Sequence, residues 1–207
     1  MIYLSIILGL ILAGFGIFFI TRAIIKIRLE HRIRSAAFKT LYQASIMDVV
    51  DVCEEVGSPY WFTEGTLIGL LRYGANCHES REQSVDDDID VMVEVQDQEA
   101  WIKTKKLLIA GLEKRGWGGF YERTTSSAKK GRIDKMQMWK RAGRNIVTHV
   151  DFHSYFANKK FAHSHAEPNS YPFQHWGDKL PISMLYPIKK CLCYGREVPC
   201  PNDAISI

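Results

Sequence analysis

The run Asp86-Asp87-Asp88-Ile89-Asp90 puts four carboxylates into five positions, directly ahead of an apolar alternation. Ile89, Val91, Val93 and Val95 recur at every second position, so they share one face of a β-strand and the acids fall on the other. Period-two geometry turns Asp88 and Asp90 to the same side, with Asp86 beside them. Like charges this close repel strongly unless a cation or a proton relieves them, and a hard divalent metal is the natural relief. The pattern demands a sheet with one aliphatic face to bury and one acidic face to neutralise. A solvated acidic loop is the plain alternative, since an isolated Asp-x-Asp has little specificity.

A second strand supplies a third acid. In His149-Val150-Asp151-Phe152-His153, Val150 and Phe152 face the core and Asp151 faces the other way. Metals held by Asp88, Asp90 and Asp151 orient a polyphosphate, neutralise charge developing on a transferred phosphorus and activate an attacking hydroxyl, with Asp151 also a candidate base. His149 and His153 read as packing or hydrogen-bonding residues of the strand, and His163 and His165 as loop residues able to meet substrate. Upstream, the short aromatic strand at 60–63 runs into Glu64-Gly65-Thr66 and a helix over 67–73. Free N–H groups at such a helix start suit a phosphate, which makes Gly65 and Thr66 candidate substrate-binding residues. The P-loop, dinucleotide-binding, zincin and nucleophile-elbow patterns are all missing from the sequence.

The rest of the chain fits one domain behind an apolar leader. Residues 1–21 carry no charge, and as a helix they span roughly 30 Å, one hydrocarbon thickness. They lack a basic start and a small-residue cleavage site, so an uncleaved transmembrane anchor over 1–25 is expected rather than a signal peptide. Residues 26–57 are then a stalk and an amphipathic helix, whose face is Phe38, Leu41, Tyr42, Ile46, Val49, Val50 and Cys53, started by Ser35 and stopped by Gly57 and Pro59. Residues 58–207 form the catalytic domain. Within it the pattern predicts a helix over 98–115 closed by Gly116, a polar basic loop over 124–131, strands over 132–140 and 146–156, and a hairpin turning at Gly195-Arg196. In that register Cys191 faces Cys200, either as a disulfide or, as the favoured reading, as two small apolar residues.

The net charge of +4 is concentrated after the leader at Arg22, Lys26, Arg28, Arg32 and Arg34. That clustering speaks of a membrane surface, and no nucleic-acid polymer is expected as a partner. Lys129, Lys130, Arg132 and Lys135 form a second basic group, able to meet phosphates or simply solvated. By the positive-inside rule the domain faces the cytosol.

The stretch Trp61-Phe-Thr-Glu-Gly-Thr-Leu-Ile-Gly-Leu-Leu-Arg-Tyr-Gly, followed by Val85-Asp-Asp-Asp-Ile-Asp-Val, resembles the LicD/fukutin family of the nucleotidyltransferase fold. His149-Val-Asp-Phe and the closing Leu185-Tyr-Pro-Ile-Lys through Tyr194-Gly-Arg-Glu-Val-Pro-Cys-Pro extend the likeness to about residue 201. The resemblance implies an α+β fold, a nucleotidyltransferase-like mixed β-sheet flanked by helices. It implies magnesium- or manganese-dependent transfer of a phospho-alcohol, such as phosphocholine or ribitol phosphate, from a CDP-activated donor to a glycan or glycolipid. Asp88 and Asp90 match the paired metal ligands, Asp151 the third acid, and Gly65 and Thr66 the phosphate-holding turn. Glu64 and Arg72 fall within the same motif, Arg72 as a donor contact or a brace for the acids. Residues 82–85 depart from the Ile-Pro-Trp-like lead of relatives, and relatives often continue past the equivalent of Ile207 to a Tyr-Gly motif. A catalytically silent binding protein assisting glycan modification is therefore the competing expectation. The likeness to fukutin-type proteins places the domain in the Golgi lumen, against the charge distribution.

Overall fold

The computed structural model describes residues 15–24, 36–75, 88–123, 135–142, 145–164 and 179–204. The chain divides into two units, Met1–Lys39 and Thr40–Ile207. Asp86, Asp87, Ser35, Cys77, His165, most of the leader and the basic loop over 124–131 lie outside the described residues. In the first unit, residues 15–24 are helical, with Phe15, Ile17, Phe18, Phe19 and Ile20 all exposed. Among the described residues no helix is long and apolar enough to cross a membrane.

Helix α1 (Ala36–Val56) buries Tyr42, Ile46, Val49, Val50 and Cys53 as the three- and four-residue spacing predicts, while Leu41, at the edge of that stripe, stays exposed. Gly57 ends the helix at φ 73, with its N–H on the Cys53 carbonyl. Strand β1 (Tyr60–Phe62) follows, then helix α2 (Glu64–Tyr73), which closes on Gly74 in the left-handed conformation. Strand β2 (Asp88–Glu94) leads to helix α3 (Gln98–Lys114), capped by the Asp97 carboxylate on the Ala100 N–H. Strands β3 (Trp117–Arg123), β4 (Lys135–Ala142) and β5 (Asn145–Ala157) come next. After them lie β6 (Phe161–Ser164), β7 (Lys179–Pro181), the short helix α4 (Ile182–Leu185) and the hairpin β8 (Lys189–Cys193) and β9 (Arg196–Cys200).

The main sheet runs β1-β2-β5-β4-β3, with β6 on β5 and β7 on β6. It is mixed: β2 and β5 are parallel, and the other pairs are antiparallel. The fold is thus α+β with a mixed sheet and helices, as expected.

One sheet face carries Ile89, Val91 and Val93 of β2, Val150 and Phe152 of β5, and Met136 and Met138 of β4, all buried. The apolar stripes of α1 and α3, including Trp101, Leu108 and Leu112, are buried too and supply the complementary surface. Where the helices meet, a Cβ on Gly111 would lie 2.9 Å from Val52 Cγ1, so only glycine allows that approach. The other face is apolar only toward the ends of β2 and β5, where Trp61, Met92, Tyr155, Leu180 and Leu185 form a second core cluster. Trp61 meets Tyr155 edge-to-face with ring centroids 4.3 Å apart.

Two expectations need correction. The hairpin turns at Tyr194-Gly195, both with positive φ (51° and 84°), so Cys191 pairs with Val198 and Lys189 with Cys200. Two consecutive positive-φ residues are what the right-handed twist of a tight hairpin calls for. From its diagonal position Cys191 nevertheless forms a disulfide with Cys200 at a Cα–Cα distance of 5.7 Å, so the apolar-pair reading is replaced by the covalent one.

Candidate functional site

The second sheet face, ahead of the Trp61 cluster, is polar, and strand register assembles it. In the parallel β2–β5 pair Asp88 lies opposite His149, Asp90 opposite Asp151 and Met92 opposite His153. On the far side of β5 the antiparallel register puts Lys135 against His153 and Gln137 against Asp151. All these positions share one parity, so their side chains leave the sheet on the same side. Helix α2 adds Glu64 from its first turn.

The backbone that carries the acids is pinned from both neighbouring elements. The Asp90 N–H donates to Thr66 Oγ1 at 3.0 Å, while its carbonyl accepts from the Thr63 N–H at 3.1 Å. Tyr42 of α1 donates its hydroxyl to the Asp88 carbonyl at 2.8 Å. Thr66 is fully buried, so its oxygen braces β2 against α2. Glu64 holds φ 53, a conformation that costs a non-glycine residue about 1 kcal/mol or more and turns the chain sharply from β1 into α2.

The side chains form two sets. Asp88, His149 and Asp151 offer ligand atoms within 4.8 Å of one another, and so do Glu64, Asp90 and His153. His149 Nε2 stands 3.5 Å from Asp88 Oδ2 and 4.0 Å from Asp151 Oδ2, and His153 Nε2 stands 4.0 Å from Asp90 Oδ1. Lys135 makes an ion pair with Asp151 Oδ2. Among the described residues, Asp151 Oδ1 and His153 Nε2 are sealed from solvent without a hydrogen-bond partner. Four carboxylates against one ammonium, with buried acceptor atoms left over, is a donor set that fits a divalent cation.

The titration behaviour follows from this crowding. Burial pushes the Asp151 carboxyl up, with the Lys135 hydrogen bond and charge pulling against it. The Glu64 carboxyl is pushed up to about 7, first by burial and then by Asp88 and Asp151, against Lys135. His153 is pushed down to about 3 by burial and the Lys135 charge, which keeps its imidazole neutral.

A family model, LicD/FKTN/FKRP, nucleotidyltransferase domain, matches residues 57–203, more than half of the chain. The chain belongs to the LicD/FKTN/FKRP family. The matched region is the family's nucleotidyltransferase domain, which is consistent with a transferase. No curated protein matches this LicD-family chain. Among solved structures it is similar to the antibiotic-resistance factor ANT(2'')-Ia at 16% identity and a TM-score of 0.44, over 79% of this chain and 66% of that one.

Of the residues expected from the LicD-like sequence, Asp88, Asp90, Asp151 and Glu64 meet on one face. Gly65 lies in the first turn of α2 and Thr66 behind Asp90. Arg72 is exposed in the last turn of α2, eight residues or about 12 Å of helix rise from Glu64, and among the described residues it makes no ion pair with the acids. His149, His153 and Lys135 were not anticipated in the cluster. The signal for the histidines was present, because residues 149, 151 and 153 share one strand face.

Proposed function

We propose that the protein transfers a phospho-alcohol of phosphocholine or ribitol-phosphate type from a CDP-activated donor to a glycan or glycolipid, using Mg2+ or Mn2+ held by Asp88, Asp90 and Asp151. The observation that carries this reading is the convergence of those acids on one sheet face, beside the N-terminus of α2, within a LicD-family domain. The acceptor hydroxyl oxygen forms a bond to the donor phosphorus, the bond from that phosphorus to CMP breaks, and CMP leaves with the electron pair. Asp151 takes the hydroxyl proton at Oδ1. Gly65 lets the donor approach the backbone at the start of α2, where N–H groups face phosphate oxygens. Thr66 and Tyr42 act through Asp90 and Asp88, fixing their backbones so that the carboxylates need no reorganisation. A divalent cation bound by the acids supplies neutralisation of the phosphate charge.

The test is CMP release from a panel of CDP-alcohols by the full chain in detergent with magnesium, against the double variant Asp88→Asn, Asp90→Asn. Release by wild type alone is expected. No release from any donor with any glycan acceptor, while the fold is intact, overturns the transferase reading. It would favour the silent binding protein, for which the Lys135–Asp151 ion pair speaks, because the third acid is already neutralised.

For placement, we infer that residues 1–25 anchor the protein in a membrane, supported by the exposed apolar helix over 15–24. A lumenal, secretory-pathway domain is supported by the Cys191–Cys200 disulfide. Digestion of the domain by protease added to sealed microsomes without detergent would refute the lumenal placement.

A further inference from the structure

We propose that the two histidines of β5 are metal ligands, so that the site has two seats, Asp88–His149–Asp151 and Glu64–Asp90–His153, and selects a first-row transition ion such as Mn2+ over Mg2+. The proposal deepens the metal-centre reading above and is independent of which donor is used.

The two sets are built alike. Each takes one carboxylate from β2, one imidazole from β5 and one further carboxylate, Asp151 for the first and Glu64 for the second. The likeness follows from register, since the parallel pairing repeats every second residue and sets Asp88 and Asp90 against His149 and Asp151, with His153 next along the same face. A purely structural histidine in a buried position gives its ring nitrogens hydrogen-bond partners. Among the described residues His153 Nε2 has none, is sealed from solvent, and stands 4.0 Å from the nearer Asp90 oxygen. That spacing is too long for a hydrogen bond and short enough for both atoms to reach one ion. His149 Nε2 stands between Asp88 Oδ2 and Asp151 Oδ2, at 3.5 and 4.0 Å, within reach of an ion shared with both.

Ligand chemistry decides the ion. Mg2+ takes oxygen donors and gives up its water reluctantly, whereas first-row transition ions accept imidazole nitrogen more readily, Mn2+ the least strongly among them. In the cation-free protein Lys135 supplies a positive charge to the first seat through Asp151. Filling that seat displaces the ammonium from Oδ2.

The experiment titrates the metal-free full chain, in detergent, with Mn2+ and with Mg2+ by calorimetry, for wild type, His149→Asn and His153→Asn. Expected are two Mn2+ per wild-type chain, one per chain in each variant, and a Mn2+ preference of about tenfold or more that shrinks when a histidine is removed. Thermal unfolding without metal separates lost ligands from lost fold. Electron spin-echo spectra of Mn2+-loaded wild type give a readout that needs no variant, with nitrogen couplings from directly bound imidazole expected. Absent nitrogen couplings, a single Mn2+ per wild-type chain, or equal affinity for Mg2+ and Mn2+ would each overturn the proposal. CMP release supported by Mg2+ with no nitrogen coupling would sink this inference and leave the transferase reading standing.

Discussion

Replacing Thr66 by Val separates two roles that its position allows, bracing the acids and touching the substrate. Its hydroxyl oxygen accepts the Asp90 N–H at 3.0 Å in a fully buried setting. Valine keeps the branched shape and removes the acceptor, leaving a buried N–H unsatisfied, which costs about 1–3 kcal/mol. For a unit of this size each kcal/mol lowers the midpoint by roughly 2–4 °C, so the expected fall is about 2–12 °C. The assay is thermal unfolding of the full chain in detergent, followed by the fluorescence of buried Trp61 and Trp101. Thr66→Ser, which keeps the oxygen, should recover most of the loss. Divalent-cation affinity should fall in Thr66→Val as well, because Asp90 loses one of its two backbone anchors. A Thr66→Val protein as stable as wild type, with only donor binding weakened, would refute the brace and return Thr66 to a direct phosphate role.

Gly111→Ala forces a methyl to within 2.9 Å of Val52 and should cost about 1–3 kcal/mol. A second change, Val52→Ala, should restore part of it in a double-mutant cycle of unfolding free energies. Glu94 accepts hydrogen bonds from Tyr155 and Tyr186, yet burial outweighs them and pushes its carboxyl up. A raised acid contributes stability that is present below the unfolded carboxylate range and lost as pH rises through the folded value. Wild type should therefore lose stability relative to Glu94→Gln as pH climbs from about 4 toward neutrality, and parallel curves would contradict this. The Cys191–Cys200 bridge spans nine positions and should stabilise by roughly 2.5 kcal/mol. Denaturation of the Cys191→Ser, Cys200→Ser double variant measures it, and an unchanged midpoint would show that the bridge does not form.

Strand parity made the acids legible. Ile89, Val91 and Val93 point one way, so Asp88 and Asp90 had to point the other, and Val150 with Phe152 fixed Asp151 by the same rule. Helix α1 was legible for a similar reason, its stripe running to a glycine that must adopt positive φ. Strand β3 was not, because Gly118-Gly119 interrupts it. Those residues make a register shift between Gly118 and Phe120, with Gly119 at φ 72 and no room for a Cβ beside the Trp139 ring. The hairpin turn was misplaced because Tyr194, a non-glycine residue, takes the first left-handed position. Lys135 was read only as part of a basic group, because nothing local ties it to Asp151, 16 residues away. Only the antiparallel register of β4 on β5 brings them together.

That dependence on register links the core to the site. A slip of β2 against β5 by one residue would carry Ile89 and Val91 to the polar face and the acids into the apolar one. The buried aliphatic side chains thus hold the carboxylates in opposition even though the carboxylates repel. The repulsion is not removed by the fold but contained by it, with Lys135 offsetting one charge of four. The sheet can tolerate that load because its other face is buried across β2, β5 and the Met136–Met138 stretch of β4, and because Tyr42, Thr63 and Thr66 hold the backbone of the two β2 acids from neighbouring elements. A binding site made of mutually repelling groups on a rigid sheet gains most from the ligand that relieves them, so cation affinity and backbone bracing rise together.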